Sequence, residues 1–156
     1  MKVPLNFRPS GAARWYECPA AAVVNAIKRP DETSIYAATG KGVMAHVQTA
    51  AEDFADESYF DAIVGKTENI EGIDVTYTED DTEAAKVIFN HVMALEAAGG
   101  KLEIELPLKV RIGKIDVQGT SDFVITYPDK YHVVDYKHGA GVPVNANNNK
   151  QLLIYL

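Results

Sequence analysis

The spacing of apolar residues changes from a helical period to a strand period part-way along the chain, at a pair of glycines. Upstream of this change the pattern predicts three helices. The first is capped by Ser10 and is interrupted or restarted at Pro19. The second begins at Ile35 or Val43 and ends near Glu57.

The third helix carries the clearest boundary signals. Thr78 or Asp80 caps it, acidic residues crowd its first turn, and Gly99–Gly100 ends it. Four residues at helical spacing supply its predicted apolar face, namely Val87, Ile88, Val92 and Leu95. Between the second and third helices the period is mixed, and only a short strand at 73–77 is predicted there.

Downstream of the glycines, apolar and polar residues alternate, which is typical of strands. Three consecutive strands are predicted, at 101–112, 115–127 and 131–137. A short helix starts at Gln151. Helices followed by a run of strands indicate an α+β fold, or an α/β fold with a mixed sheet. The 156-residue length suits one domain over 1–156, with a helical part at 10–98 and a sheet and active-site core at 101–156.

Composition narrows the class of protein. Apolar residues make up 47% and charged residues 24%, and no apolar run approaches the ~18 residues that a membrane span needs. Cys18 is the only cysteine, which excludes an internal disulfide, and the lack of an apolar signal core favours a cytoplasmic protein. The net charge of −7 argues against a general polyanion-binding surface, although acids that bind metal also lower the net charge.

The residues of chemical interest lie in GTSDFVITYPDKYHVVDYKHG, residues 119–139. A symmetric turn at Pro128–Asp129 predicts a hairpin in which Asp122 lies opposite Asp135. Two ionised acids at this range need a cation, a shared proton or solvent, and a Mg²⁺ or Mn²⁺ ion satisfies both. Lys137 shares the face of Asp135, where it can act on a water or on developing negative charge.

A simpler alternative is a solvated sheet face on which Lys137 is a surface salt-bridge partner. Two observations argue against it. Both strands are apolar on both faces, at Phe123–Ile125 and Val133–Val134, which is typical of a covered sheet. The next helix also places Gln151 and Tyr155 four residues apart on one face.

Four motifs follow one another in order along nearly the whole chain. They are Gly42–His46 (GVMAH), Gly119–Asp122 (GTSD), Asp135–Lys137 (DYK) and Gln151–Tyr155 (QLLIY). Together they resemble the PD-(D/E)xK nuclease superfamily, in its RecB-like exonuclease branch, and the start SGAARWYECPAAA is similar to phage-encoded members. The resemblance implies a restriction-endonuclease-like core, in which a mixed central sheet is flanked by helices.

The resemblance also implies a function and a set of roles. The function is metal-dependent hydrolysis of DNA phosphodiester bonds, by an exonuclease or end-processing enzyme of phage or mobile-element origin. Mg²⁺ or Mn²⁺ would be held by four ligands, namely His46, Asp122, Asp135 and the carbonyl of Tyr136. Lys137 would be the catalytic lysine, and Gln151 and Tyr155 would position the lysine, the water or the phosphate. Glu52 and Glu105 can reach the site, but both are interpreted as surface acids.

One departure from the family pattern bears on function. The family continues past its Gln–Tyr motif with elements that cover the sheet, whereas this chain stops at Leu156. We therefore expect a poorly covered face at Gln151 and Tyr155, and either a homo-oligomer or a partner chain that completes the fold. A shortened chain, a split enzyme and an inactive remnant remain the explanations. The alternative function is a non-catalytic module that binds nucleic acid or a partner.

Overall fold

The computed structural model describes residues 7–27, 34–139 and 144–156. The helices are α1 (Ala12–Glu17), α2 (Ala20–Ile27), α3 (Ile35–Glu52), α4 (Ser58–Asp61), α5 (Glu79–Ala97) and α6 (Lys150–Tyr155), preceded by a 3₁₀ turn at Pro9–Gly11. The strands are β1 (Thr67–Ile70), β2 (Ile73–Thr76), β3 (Lys101–Ile112), β4 (Ile115–Thr126) and β5 (Tyr131–Val134). Residues 28–34 and 139–149, which the sequence predicts to be loops, fall partly outside the described residues.

The first predicted helix is divided at its proline. Cys18 ends α1 in an extended conformation, and α2 begins directly after Pro19, because proline lacks the amide that a continuing helix requires. The predicted cap is wrong. Ser10 lies inside the 3₁₀ turn, and Gly11 occupies the N-cap position of α1 without a side-chain hydrogen bond.

The second predicted helix, α3, begins at the earlier of its two predicted starts. Ser34 caps it there, since its Oγ accepts a hydrogen bond of 3.2 Å from a first-turn amide. The helix ends at Glu52, short of the predicted Glu57. The reason is the left-handed backbone of Phe54, with φ of 51°, through which a right-handed helix cannot continue.

The third predicted helix, α5, has the predicted ends. Thr78 is the N-cap and forms a capping box with Asp81. The predicted apolar face is only partly correct, since Val92 is buried whereas Val87 is exposed and Phe89 is buried in its place. The helix therefore meets the core on a face rotated toward Phe89.

The strands form two antiparallel sheets. β2 is the predicted strand, and it pairs with β1, which was not predicted. The larger sheet has the order β3-β4-β5. Every pairing among the described strands is antiparallel, so the α+β prediction is correct for them and the mixed sheet is not what they form. Tight turns between consecutive strands impose this, because parallel neighbours need a long crossover.

Two apolar clusters hold these elements together. The larger lies between α3, α4, α5 and the strands, around Val47, Phe60 and Phe123. The smaller joins α1 and α6 to the start of β4 through Trp15 and Ile154. Across the described ranges, no helix has the length and apolar character needed to cross a membrane.

Candidate functional site

The predicted register of the β4–β5 hairpin is confirmed. The ladder ends with the pair of Phe123 and Val134, and the same register extended by one step places Asp122 opposite Asp135. The amide of Tyr136 donates a hydrogen bond of 2.7 Å to Asp122 Oδ2. The chain after Val134 is therefore bonded to a side chain of β4, and β5 is shorter than predicted.

A third acid lies in the same row. The β3–β4 ladder keeps one register on both sides of Glu105, which puts Glu105 opposite Asp122. Glu105 itself has a left-handed backbone, with φ of 49°, and makes no ladder pair. Opposed positions on neighbouring strands have Cβ atoms roughly 4.5–5.5 Å apart. We call Glu105, Asp122 and Asp135 the acid row.

Each outer acid of the row accepts hydrogen bonds from a neighbouring element. Gln48 Nε2, on α3, donates to Glu105 Oε1 at 3.2 Å. Gln151 Nε2, on α6, donates to Asp135 Oδ1 at 2.6 Å. The second oxygen of Asp135, Oδ2, forms an ion pair with Lys137 Nζ. Helices α3 and α6 thus orient the two outer carboxylates.

The pKa of the central acid of the row, Asp122, is raised above its ordinary value. Burial is the largest cause that raises the pKa of Asp122, and the carboxylates of Asp135 and Glu105 raise it further. The Tyr136 amide and the Lys137 ammonium oppose the shift. A cation near the row would relieve both the burial cost and the repulsion, because it favours the charged carboxylate.

An open groove of about 520 Å³ separates α3 from the acid row. Its sheet wall includes Glu105, Asp122 and Lys137, and its helix wall includes Tyr36 and Gln48. A smaller recess of about 220 Å³ lies between Asp135, Lys137 and the start of α6. Lys137 therefore borders both spaces, whereas Glu105 and Asp122 border the groove and Asp135 borders the recess.

The helix α6 holds the predicted Gln–Tyr motif against the site. Gln151 contacts Asp135, whereas the Tyr155 hydroxyl donates to the carbonyl of Thr120 at 2.9 Å and fastens α6 to β4. Tyr155 is buried, so the expectation of a poorly covered face is wrong for this residue. A Cβ at Gly119 would lie 2.7 Å from Pro9 Cγ and 3.1 Å from the Tyr155 hydroxyl, so the packing of Pro9 and Tyr155 explains the glycine of GTSD.

The structure does not bring His46 to the acid row. Its Nδ1 lies 2.8 Å from the Tyr59 hydroxyl, and its Nε2 lies 3.2 Å from Glu68 Oε2. Its ring stands edge-on to Tyr77, with the centroids 5.0 Å apart. His46 therefore faces the β1–β2 hairpin, while the groove is lined by Gln48 and its neighbours. These contacts do not support the predicted ligand role of His46, which stays a prediction.

The GVMAH motif has a structural explanation in Tyr77. This side chain is fully buried, and its hydroxyl donates to Glu68 at 2.9 Å. A Cβ at Gly42 would lie 2.2 Å from the Tyr77 hydroxyl, so only glycine fits there. His46 lies one helical turn later and contacts the same ring. The spacing of Gly42 and His46 thus reflects the packing of Tyr77 under α3.

A chain of polar contacts anchors the segment that follows β5. The Tyr136 hydroxyl lies 2.7 Å from His138 Nδ1, and His138 Nε2 lies 2.9 Å from Asp81 Oδ1. Burial, together with the Asp81 charge, raises the pKa of Tyr136 to about 12. Since Asp81 also forms the capping box of α5, the backbone around Lys137 is fastened to the start of that helix.

The donor set suits a hard divalent cation, although the side chains do not now form a ligand cluster. No group of three or more His, Cys, Asp or Glu in the ranges that the structure describes lies close enough to hold a metal ion. The three carboxylates are instead held by their own donors. Carboxylate and backbone oxygens are the ligands that Mg²⁺ and Mn²⁺ prefer, so Asp122, Asp135, Glu105 and the Tyr136 carbonyl fit by chemistry.

Residues 6–156 match the model of a family described as "Protein of unknown function (DUF2800)". The chain belongs to this family. No solved structure matches the chain. In this DUF2800 chain the site is therefore interpreted from its own geometry.

Glu105 of the DUF2800 chain was interpreted as a surface acid, although the sequence does indicate its position beside Asp122. β3 and β4 are joined by the two-residue turn Gly113–Lys114, and this turn fixes their register as Pro128–Asp129 fixes that of the next hairpin. The same pairing argument places Glu105 opposite Asp122. Gln48 had no comparable signal, because its direction depends on how α3 packs.

Proposed function

We propose that this protein is a metal-dependent nuclease that hydrolyses DNA phosphodiester bonds on a restriction-endonuclease-like core. The acid row carries the proposal. In it Glu105 lies on β3 beside Asp122 on β4, Asp135 lies just past the end of β5, Lys137 is next to Asp135, and an open groove lies in front of Glu105 and Asp122. A cation favours the charged form of closely spaced carboxylates, and a lysine beside them suits an anionic substrate.

Mg²⁺ or Mn²⁺ is the proposed cofactor, held by oxygens of the acid row with the Tyr136 carbonyl as a further ligand. When bound, such an ion would polarise the phosphoryl oxygen and lower the pKa of a water bound to it. His46 is left out of the proposed ligand set because its ring nitrogens contact Tyr59 and Glu68.

The protein's own groups have separable tasks in this proposal. Gln151 orients Asp135, and Gln48 orients Glu105. Lys137 is half exposed and paired with Asp135, so its ammonium can turn toward a phosphate and stabilise negative charge that develops there. Tyr155 acts at a distance, since it holds α6, and with it Gln151, in place.

The second candidate is a non-catalytic module that binds nucleic acid or a partner chain. One observation favours it. Amide or ammonium donors already satisfy the three carboxylates, through Gln48, Tyr136, Gln151 and Lys137, so the row is stable without a cation. DNA is the proposed partner of the nuclease, nucleic acid or a partner chain is that of the module, and phage or mobile-element DNA processing is the proposed setting.

Degradation of end-labelled linear DNA separates the two candidates. The wild-type protein is incubated with Mg²⁺ or Mn²⁺ and compared with an EDTA control, alongside Asp122→Asn and the matched variant Asp116→Asn, an exposed acid of the same strand. The nuclease proposal expects metal-dependent cleavage that Asp122→Asn abolishes and Asp116→Asn retains. Intact DNA in every reaction, with oligonucleotide binding preserved, would establish the binding module instead. Circular DNA and RNA in parallel define the substrate.

A further inference from the structure

One large aromatic side chain in the groove has no task in the proposed hydrolysis. Tyr36 lies in the first turn of α3, lines the groove and is 76% exposed. In the described part of the chain, no ring or cation stacks on it. Its flat face is therefore open to a ligand in the same groove as the acid row.

The position of Tyr36 relative to the acids follows from the helix. Tyr36, Gly40 and Gln48 all line the groove, so the groove follows one side of α3. Gln48 is hydrogen-bonded to Glu105, which puts this member of the acid row at its end of the groove. Between Tyr36 and Gln48 an α-helix rises by about 18 Å.

The space between the two ends carries positive charge. Lys41 and Lys137 line the groove from opposite walls. Lys41 pairs with Glu71 at 2.5 Å, but both side chains are about half exposed, so the pair is solvated and exchangeable. Gly40 lets the walls approach, because a Cβ there would lie 3.0 Å from His138 Cβ. An aromatic face, then lysines, then acids is an order that matches a base, its phosphates and a reacting phosphate.

We propose that Tyr36 stacks on a base of an unpaired strand whose backbone reaches the acid row. The inference rests on the proposed function for the class of ligand. Aromatic stacking suits single strands, because bases in a duplex are already stacked on one another. At about 3.4 Å per stacked nucleotide, 18 Å corresponds to roughly five nucleotides between Tyr36 and the Gln48 end of the groove, where Glu105 lies.

Binding without catalysis tests the proposal. Fluorescence anisotropy of a labelled oligodeoxythymidine of about ten nucleotides is measured in EDTA, so that no cleavage is possible. Tyr36→Ala should weaken binding roughly 5- to 150-fold, and Tyr36→Phe should retain it, since a stacked base contributes about that much. The matched control is Tyr16→Ala, because Tyr16 is 62% exposed but lies on α1, outside the groove. It should bind normally.

A single abasic nucleotide, moved along the strand, gives a sharper test. The wild-type protein should lose affinity when the abasic site occupies one position, and Tyr36→Ala should lose nothing more there. Equal affinity of Tyr36→Ala and wild type, additive losses at every position, or no binding by wild type would overturn the proposal. Absence of cleavage by wild type would overturn the nuclease and leave stacking standing, because binding is read without metal.

Discussion

Gln151 Nε2 donates a hydrogen bond of 2.6 Å to Asp135 Oδ1, and this bond ties the C-terminal helix to the acid row. The helix is only six residues long, which is too short to be stable alone. Asn149 caps it by accepting two amide hydrogen bonds, and Ile154 and Tyr155 are buried beneath it. Capping and packing therefore allow a helix of this length to orient a candidate metal ligand.

Loss of the Gln151 donor should weaken the site without unfolding the protein. Gln151→Leu keeps the bulk of the side chain and leaves Asp135 with Lys137 as its partner. Removal of a group that orients a metal ligand typically costs about 10–100-fold in metal affinity or activity. Calorimetric titration with Mn²⁺ and the DNA cleavage rate measure the effect. Leu153→Gln, at an exposed position of α6, is the control and should change neither.

Substitution of Glu105 by glycine should stabilise the protein and weaken its metal binding. Glu105 is the one non-glycine residue within a described strand that has positive φ, a conformation costing about 1–2 kcal/mol for residues other than glycine. Glu105→Gly should therefore stabilise the protein by about 1 kcal/mol in urea unfolding and weaken Mn²⁺ binding. Phe54→Gly, with φ of 51° at a 75% exposed position just past α3, should stabilise similarly and leave Mn²⁺ binding unchanged. Equal Mn²⁺ affinity in both variants would remove Glu105 from the site.

Asp122 should make the metal-free protein less stable as the pH rises. Its pKa is raised from the ordinary 3.8, first by burial and then by Asp135 and Glu105, so the folded state holds this proton more tightly than the unfolded chain. Stability is therefore lost as the pH rises from 3.8 through the raised pKa. Asp122→Asn cannot ionise and keeps an oxygen for the Tyr136 amide. In thermal unfolding with EDTA, the stability of Asp122→Asn relative to wild type should increase as the pH rises toward neutral. A difference that is constant with pH would contradict this.

The GVMAH motif should behave as a packing feature. Gly42→Ala places a methyl group against the Tyr77 hydroxyl and should destabilise the protein by about 1–3 kcal/mol, as overpacking does. Tyr77→Phe removes that hydroxyl, so the double variant should be less destabilised than the two single changes combined. Urea unfolding of all four proteins measures the coupling. Gly42→Ala should also leave the Mn²⁺ affinity unchanged. A large loss of Mn²⁺ affinity would mean that this motif contributes to the metal site.

The central hairpin could be predicted from the sequence because its tight turn fixes which residues of the two strands lie opposite each other. Pro128–Asp129 sets the opposition of Asp122 and Asp135, and the DYK spacing then places Lys137. The direction of His46 could not be predicted in this way. It depends on how α3 is rotated against the β1–β2 hairpin, and that hairpin has no clear periodicity in the sequence. Local geometry was therefore predictable, whereas contacts between distant elements were not.

Lys137 should be needed for rate and not for metal binding. An ammonium has no lone pair to offer a metal, and Lys137 now neutralises Asp135. Lys137→Ala should therefore lower the cleavage rate by about 10²–10⁴-fold, while Mn²⁺ affinity holds or rises because a competing positive charge is gone. Lys101→Ala, at an exposed lysine paired with Glu103, is the control and should change stability by under about 1 kcal/mol and leave the rate unchanged. If Lys137→Ala behaves like this control, Lys137 is a surface ion-pair partner and the acid row lacks a catalytic lysine.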